Sequence, residues 1–173
     1  MNQNNKLQNP ESKLTIRNAT PMDVSGICDL TRRVYQGSGM QGYPHGAVRG
    51  QINHFPQGQF VVLVDDKVVG YCATFRIGEK HALRQHSWVE ITGNGYASRH
   101  NPKGDWLYGM EVCVDPEFRG LRIGQRLYDE RKKLAQSWAL KGIIYGGRLP
   151  MLSLRCKTRI PEPGRRPRPG RPG

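Results

Sequence analysis

Residues 59–77, QFVVLVDDKVVGYCATFRI, leave the chain little choice of local structure. Two runs rich in Val, Phe, Tyr and Ile flank Asp65-Asp66, a turn pair, which reads as a β-hairpin. A hairpin alone is marginal in water, so its strands need further neighbours. Upstream, KLTIRNA (13–19) alternates apolar and polar residues like a first strand, and downstream DWLYGMEVCVD (105–115) and GIIYGG (142–147) supply two more β-type runs.

Helical patterns fall between them. TPMDVSGICDLTRRVY has Thr20 placed to cap, Pro21 in the first turn and Asp23 near the positive helix end, with Val24, Ile27, Leu30 and Val34 at helical spacing. The glycine-rich stretch QGSGMQGYPHGAVRG reads as a loop leading toward a short helix around Ala47–Asn53. The next helix spans 121–140, with Ile123, Leu127, Leu134 and Trp138 near one face and Lys and Arg elsewhere. Residues 78–104 read as a long polar loop, and loops of that length usually bind something or move. The order strand, helix, helix, hairpin, loop, strand, helix, strand predicts an α/β domain of the α+β kind on a mixed sheet.

Composition sets the bounds. A chain of 173 residues suits one domain, taken as residues 13–150. Residues 1–12 are polar, and residues 151–173 form a basic Pro/Arg/Gly-rich tail that is expected to be disordered. Hydrophobic residues make up only 36%, a deficit concentrated in those two ends. The net charge of +13 points toward a polyanion, but residues 155–173 hold seven Lys/Arg against Glu162, so about half the excess lies in the tail. That tail has no Phe, Tyr or Trp on which bases could stack, which ranks nucleic acid last among partners. Cys28, Cys72, Cys113 and Cys156 are scattered singly, the first three among apolar residues as structural thiols, and the histidines show no zinc-ligand spacing. His45, His54, His86 and His100 fall in loops or at element ends and read as solvent-exposed. No apolar run has the length of a membrane span, and MNQNNKLQ has no signal-peptide core, so a cytoplasmic protein is expected.

The stretch VCVDPEFRGLRIGQRLYDERKKL (112–134) carries the chemistry: a strand, a short basic loop with glycine, then an amphipathic helix. Such a unit aims unsatisfied backbone N–H groups and a helix dipole at one point, which favours phosphate. Arg119, Arg122 and Arg126 add charge, while Gly120 and Gly124 allow unusual angles and close approach. The same residues also read as an ordinary strand-turn-helix with a solvated basic face. Neither the P-loop pattern nor the GxGxxG fingerprint is present.

This stretch resembles the acetyl-coenzyme-A-binding segment of the GNAT acyltransferases, in which an apolar strand, Pro, an aromatic residue and Arg-Gly precede a loop of the form [Gln/Arg]-x-x-Gly-x-[Gly/Ala]. Arg119 matches the first position and Gly124 the last; Arg122 stands where the middle glycine is usual. GQINHFPQGQFVVLVDDKVVGYCATFRI, DWLYGMEVCVDPEFRGLRIGQRLY and GGRLP further resemble the N-terminal GNAT-like domain of bacterial fusions with a carbon–nitrogen hydrolase of the nitrilase type. The resemblance covers about residues 13–150. It implies a mixed, mostly antiparallel central sheet flanked by helices. It also implies acetyl-CoA or another acyl-CoA as donor and an unidentified amine as acceptor. Main-chain groups of Val112, Cys113 and Val114 would pair with the pantetheine arm. Backbone amides of Arg119, Gly120, Leu121, Arg122, Ile123 and Gly124 would hold the pyrophosphate, with the Arg122 guanidinium along it. Glu111 is the candidate base, and equally reads as a paired strand carboxylate. Tyr145 does not match the position of the family's acid, and Tyr108 and Tyr128 read as packing residues. After Pro150 the pattern of a further helix and strand pair is missing, which predicts a truncated fold with incomplete C-terminal elements. Two functions follow: an N-acyltransferase, or a catalytically silent acyl-CoA-binding or scaffolding module.

Overall fold

The computed structural model describes residues 13–146. The N-terminal dozen, the end of the GGRLP motif and the basic tail, with the expectations attached to them, lie outside the described residues. Five strands form one sheet in sequence order: β1 Leu14–Asn18, β2 Gln59–Val64, β3 Lys67–Ile77, β4 Trp106–Val114 and β5 Gly142–Tyr145. The first three pairings are antiparallel, and β5 runs parallel to β4. Asp65 and Asp66, at φ 48° and 63°, close the β2–β3 hairpin with two left-handed residues, the form that matches strand twist.

Period-two alternation along β2 explains the layers. Val61 and Leu63 join the core under α1 (Val24–Tyr35) and α2 (His45–His54), where Ile27, Leu30, Val48 and Ile52 pack. Phe60, Val62 and Val64 face the opposite side with Ile123 and Leu127 of the C-terminal helix. Helix α1 begins one turn later than the sequence suggests, because Pro21–Asp23 forms a 3₁₀ turn. Its entry is fixed by Asp23, which accepts from Thr20 N at 2.7 Å and from two nitrogens of Arg17 at 2.7 and 2.8 Å.

The segment 78–104 is not one long loop. It holds two short helices, α3 Glu79–Ala82 and α4 Trp88–Thr92. Their polar, partly exposed residues hide the pattern, but Ser87 caps α4 by accepting from Glu90 N, and Gly93 ends it in the left-handed region. His100 is not a solvent-exposed loop histidine: its ring stacks on Phe55 and its Nδ1 accepts from Arg76 N at 3.1 Å. Cys28, Cys72 and Cys113 are free and buried, as expected of structural thiols.

Helix α5, Ile123–Ser137, differs most from its sequence reading. Its buried row is Ile123, Leu127, Arg131 and Ala135, while Trp138 lies just past the helix and is 39% exposed. An arginine thus occupies a core position.

Candidate active site

The site forms where β4 loses a partner. Strand β5 pairs with β4 from Trp106 to Gly109 only. Beyond that point, Met110–Val114 has no neighbour on the β5 side among the described residues, while its other edge stays paired to β3. At the same place the β3–β4 register slips, Ala73 opposing Glu111 and Thr74 opposing Gly109, so Met110 is the extra residue of a bulge. Arg131 supports this break from below. It is 1% exposed, and its Nη2 lies 2.8 Å from Glu111 O, 3.4 Å from Ala73 O and 3.1 Å from Cys72 Sγ. Gly109 makes room for it, since a Cβ there would stand 2.6 Å from Arg131 Nη1. The rings of Tyr128 and Tyr145 lie 5.2 and 6.0 Å from the guanidinium carbon. The Arg131 Nε is buried with no protein partner among the described residues.

Glu111 is partly buried beside the bulge. Its Oε2 accepts from the Tyr35 hydroxyl, and the Tyr43 hydroxyl and Val112 N–H are further donors near enough to favour the charged carboxylate. Burial pushes its pKa above the usual carboxylate range; those donors and the Arg131 charge pull it back without cancelling the rise. Burial also holds the Tyr43 hydroxyl far above the ordinary tyrosine range, so it remains a donor at neutral pH. The carboxylate lines a cavity of 690 Å³ whose other walls include Tyr35, Met40, Tyr43, Trp88 and Met110. Trp88 is tied to the bulge by its Nε1, which donates to Met110 O at 3.2 Å.

At the far end of β4, Asp115 anchors the turn. It is 1% exposed, accepts from Glu117 N at 3.1 Å, and pairs with Arg33 at 3.0 Å and Lys67 at 3.5 Å. Burial alone would raise its pKa, but the Glu117 N–H, Lys67 and Arg33 outweigh that and lower it. After the 3₁₀ turn Pro116–Phe118 the loop turns outward, with Arg119, Gly120 and Arg122 exposed. Gly120 has φ +91°, and no atom would touch a Cβ there. Arg122, the N-cap of α5, has φ 57° and ψ 23°, a left-handed conformation in which glycine is the unstrained residue. A Cβ on Gly124 would meet only Val114 Cγ2, at 3.9 Å, so the space over the first turn of α5 is open. The first N–H groups of any helix lack intrahelical acceptors, and those of α5 lie beside that open space. Arg119, Arg122 and Arg126 are exposed, and none is ion-paired among the described residues.

The residues singled out in the sequence therefore lie along one path. Glu111, Val112, Cys113 and Val114 follow the open edge of β4, and Arg119–Gly124 form the loop and first helical turn. The Ile123 and Cys113 side chains point into the core, which leaves only their backbone for a ligand. Sequence reasoning missed Tyr35, Tyr43, Trp88, Met110 and Arg131. Only Arg131 left a signal, because it sits at four-residue spacing from Ile123 and Leu127.

Residues 26–146 match the Acetyltransferase (GNAT) family. The chain belongs to that family. Among curated proteins, the chain is 39% identical over 140 residues to "Probable hydrolase YhcX" of Bacillus subtilis, covering 81% of this chain and 27% of that protein. It is 27% identical over 140 residues to "Uncharacterized N-acetyltransferase YkwB" of the same organism, covering 80% of this chain and 62% of that one. The chain thus spans less than two thirds of the length of either relative. Among solved structures, the GphF GNAT-like decarboxylase in complex with isobutyryl-CoA superposes with a TM-score of 0.61 at 21% identity, over 83% of this chain and 71% of that one. At that identity the likeness is one of fold. No helix among the described residues is long and apolar enough to cross a membrane.

Proposed function

We propose that this domain binds an acyl-CoA, acetyl-CoA in the first instance, and transfers its acyl group to an amine. The observation that carries this reading is the edge of β4 that has no strand neighbour among the described residues, running from the partly buried carboxylate of Glu111 to the glycine-bearing N-terminus of α5. Family membership and an acyl-CoA complex on the same fold support it.

An extended arm with amide groups fits such an edge by adding main-chain bonds to Val112, Cys113 and Val114. The N–H groups between Arg119 and Gly124 offer donors to a pyrophosphate, and the three exposed arginines offer charge. When bound, the thioester supplies an activated acyl carbon. Glu111 takes the proton that the attacking amine must lose. Its raised pKa makes it a stronger base than a solvated carboxylate, and the hydroxyls of Tyr35 and Tyr43 hold it in place. The amine–carbon bond forms as the carbon–sulfur bond breaks, and the thiolate leaves with the electron pair.

A second reading is a catalytically silent acyl-CoA-binding module attached to a hydrolase. Its support is the likeness to 27% of a relative named as a hydrolase. Calorimetric titration of acetyl-CoA into the full chain at moderate and high salt, followed by thiol release with amines, separates the two. Saturable one-to-one binding that survives salt, with turnover, supports the transferase. Binding without turnover supports the silent module, and salt-sensitive binding alone sinks both.

A further inference from the structure

The cavity beside Glu111 has a composition that selects among amines. At 690 Å³ it is of small-ligand size, and its walls include Tyr35, Met40, Gln41, Tyr43, Trp88 and Met110, with Glu111 as the only acid among the described lining residues. Met40 and Trp88 remain 42% and 39% exposed, large apolar side chains left uncovered where they line it. The Tyr43 and Trp88 rings lie 6.3 Å apart and tilted by 38°, so the site presents aromatic surface beside the acid. The carboxylate is held by the Tyr35 hydroxyl, which fixes where a cationic or proton-bearing nitrogen can sit.

Charge limits the rest of the acceptor. The adjoining cavity of 740 Å³ shares Tyr35, Met40 and Tyr43 and adds Arg32 and Arg33. Those guanidiniums pair with Asp29 and Asp115. Among its described lining residues that cavity has no carboxylate to receive a second cationic group on the acceptor.

Resting on the acyltransferase reading above, we propose that the acceptor is a small primary amine with one positive charge on an apolar body of aromatic size. Polyamines, aminoglycosides and lysine-rich peptides are disfavoured, because the described linings of the two cavities offer one acid, Glu111, to their several positive charges. Burying the ammonium among these side chains lowers its pKa while the same burial raises that of Glu111, so transfer of the proton between them becomes easier. The aromatic faces add stacking and cation–π attraction.

The test uses the full chain with acetyl-CoA and compares phenethylamine and hexylamine with spermidine and a short lysine-rich peptide, reading thiol release. Phenethylamine is expected to exceed spermidine in kcat/KM by about tenfold or more. Trp88→Phe keeps an aromatic ring and is expected to retain that preference, whereas Trp88→Ala should lower phenethylamine turnover about tenfold with acetyl-CoA affinity unchanged. Met40→Glu, at an exposed position, should move the preference toward spermidine. Calorimetry of phenethylamine into the CoA-loaded chain gives a readout independent of turnover. Binding lost in Trp88→Ala but without chemistry would uphold the pocket and remove the transferase reading. Preference for spermidine or the peptide, or no phenethylamine binding at all, would overturn the proposal.

Discussion

At Glu111, burial and hydrogen bonding work against each other, and burial wins. A carboxyl whose folded pKa is raised costs no stability below its unfolded value and destabilises the fold as pH climbs past it. Glu111→Gln is therefore expected to leave the melting temperature at neutral pH unchanged or higher while cutting kcat/KM about 100-fold. A lowered melting temperature with intact rate would assign the residue to packing. In its proposed role as base Glu111 must be ionised, so the rate should rise with pH through the raised pKa. Arg131 lowers that pKa, so Arg131→Met should carry the rising limb to higher pH, measured as a kcat/KM profile. An unshifted profile would mean that Arg131 acts only as a structural plug. Arg122 answers to two demands at once. Its left-handed backbone favours glycine, so Arg122→Gly should raise stability by about 0.5–1 kcal/mol in denaturant titration. Acetyl-CoA affinity should fall by about fivefold if the guanidinium lies along the phosphates. Tighter binding would show that the arginine obstructs the loop.

The β4–loop–α5 unit owes its shape to anchors at both ends. Arg131 holds the bulge from the helix side, and Asp115 ties the turn to α1 and to the β2–β3 hairpin through Arg33 and Lys67. The main chain adds a third tie, Asp115 N donating to Val69 O at 2.8 Å. Asp115→Asn keeps an acceptor for the Glu117 N–H and removes only the charge. Since Arg33 and Lys67 are 38% and 46% exposed, solvent screens the pairs, and the expected loss is about 1–2 kcal/mol at neutral pH. The Asp115 pKa is lowered on folding, so its contribution is present above the unfolded carboxyl value and lost as pH falls through the folded one. Unfolding curves of the two proteins should accordingly converge in acid; a constant gap would mean a steric cause.

For the whole molecule, the sheet is covered on both faces, and β4 has no neighbour on its β5 side along half its length among the described residues. An unpaired edge is a liability unless something covers it. A ligand that pairs with it should stabilise the native state by about 2.7 kcal/mol at a hundred times its dissociation constant. The expected readout is a rise in melting temperature with acetyl-CoA at high salt, together with slowed amide exchange at Val112–Val114. Stabilisation without protection of those amides would place the ligand elsewhere.

Much of the fold was legible because it rests on local chemistry. The Asp65-Asp66 turn, the β-rich runs that flank it and the helical spacing of α1 each act through near neighbours in sequence. The strand-loop-helix from Val112 to Gly124 was legible for the same reason, together with the family resemblance it carries. Other features depended on partners far along the chain. The segment 78–104 looked structureless because its short helices α3 and α4 bury few residues of their own. Arg131 looked like a surface cation because its acceptors, Ala73 O and Glu111 O, lie on strands that no helical periodicity reveals. The cavity follows the same rule: Tyr35, Tyr43, Trp88 and Glu111 come from four separate segments. The sequence by itself determined the hairpin, the strands beside it and the strand-loop-helix of residues 112–134, since local spacing decides those. Only the tertiary structure decided which side chains surround Glu111, because desolvation and hydrogen bonding act through space.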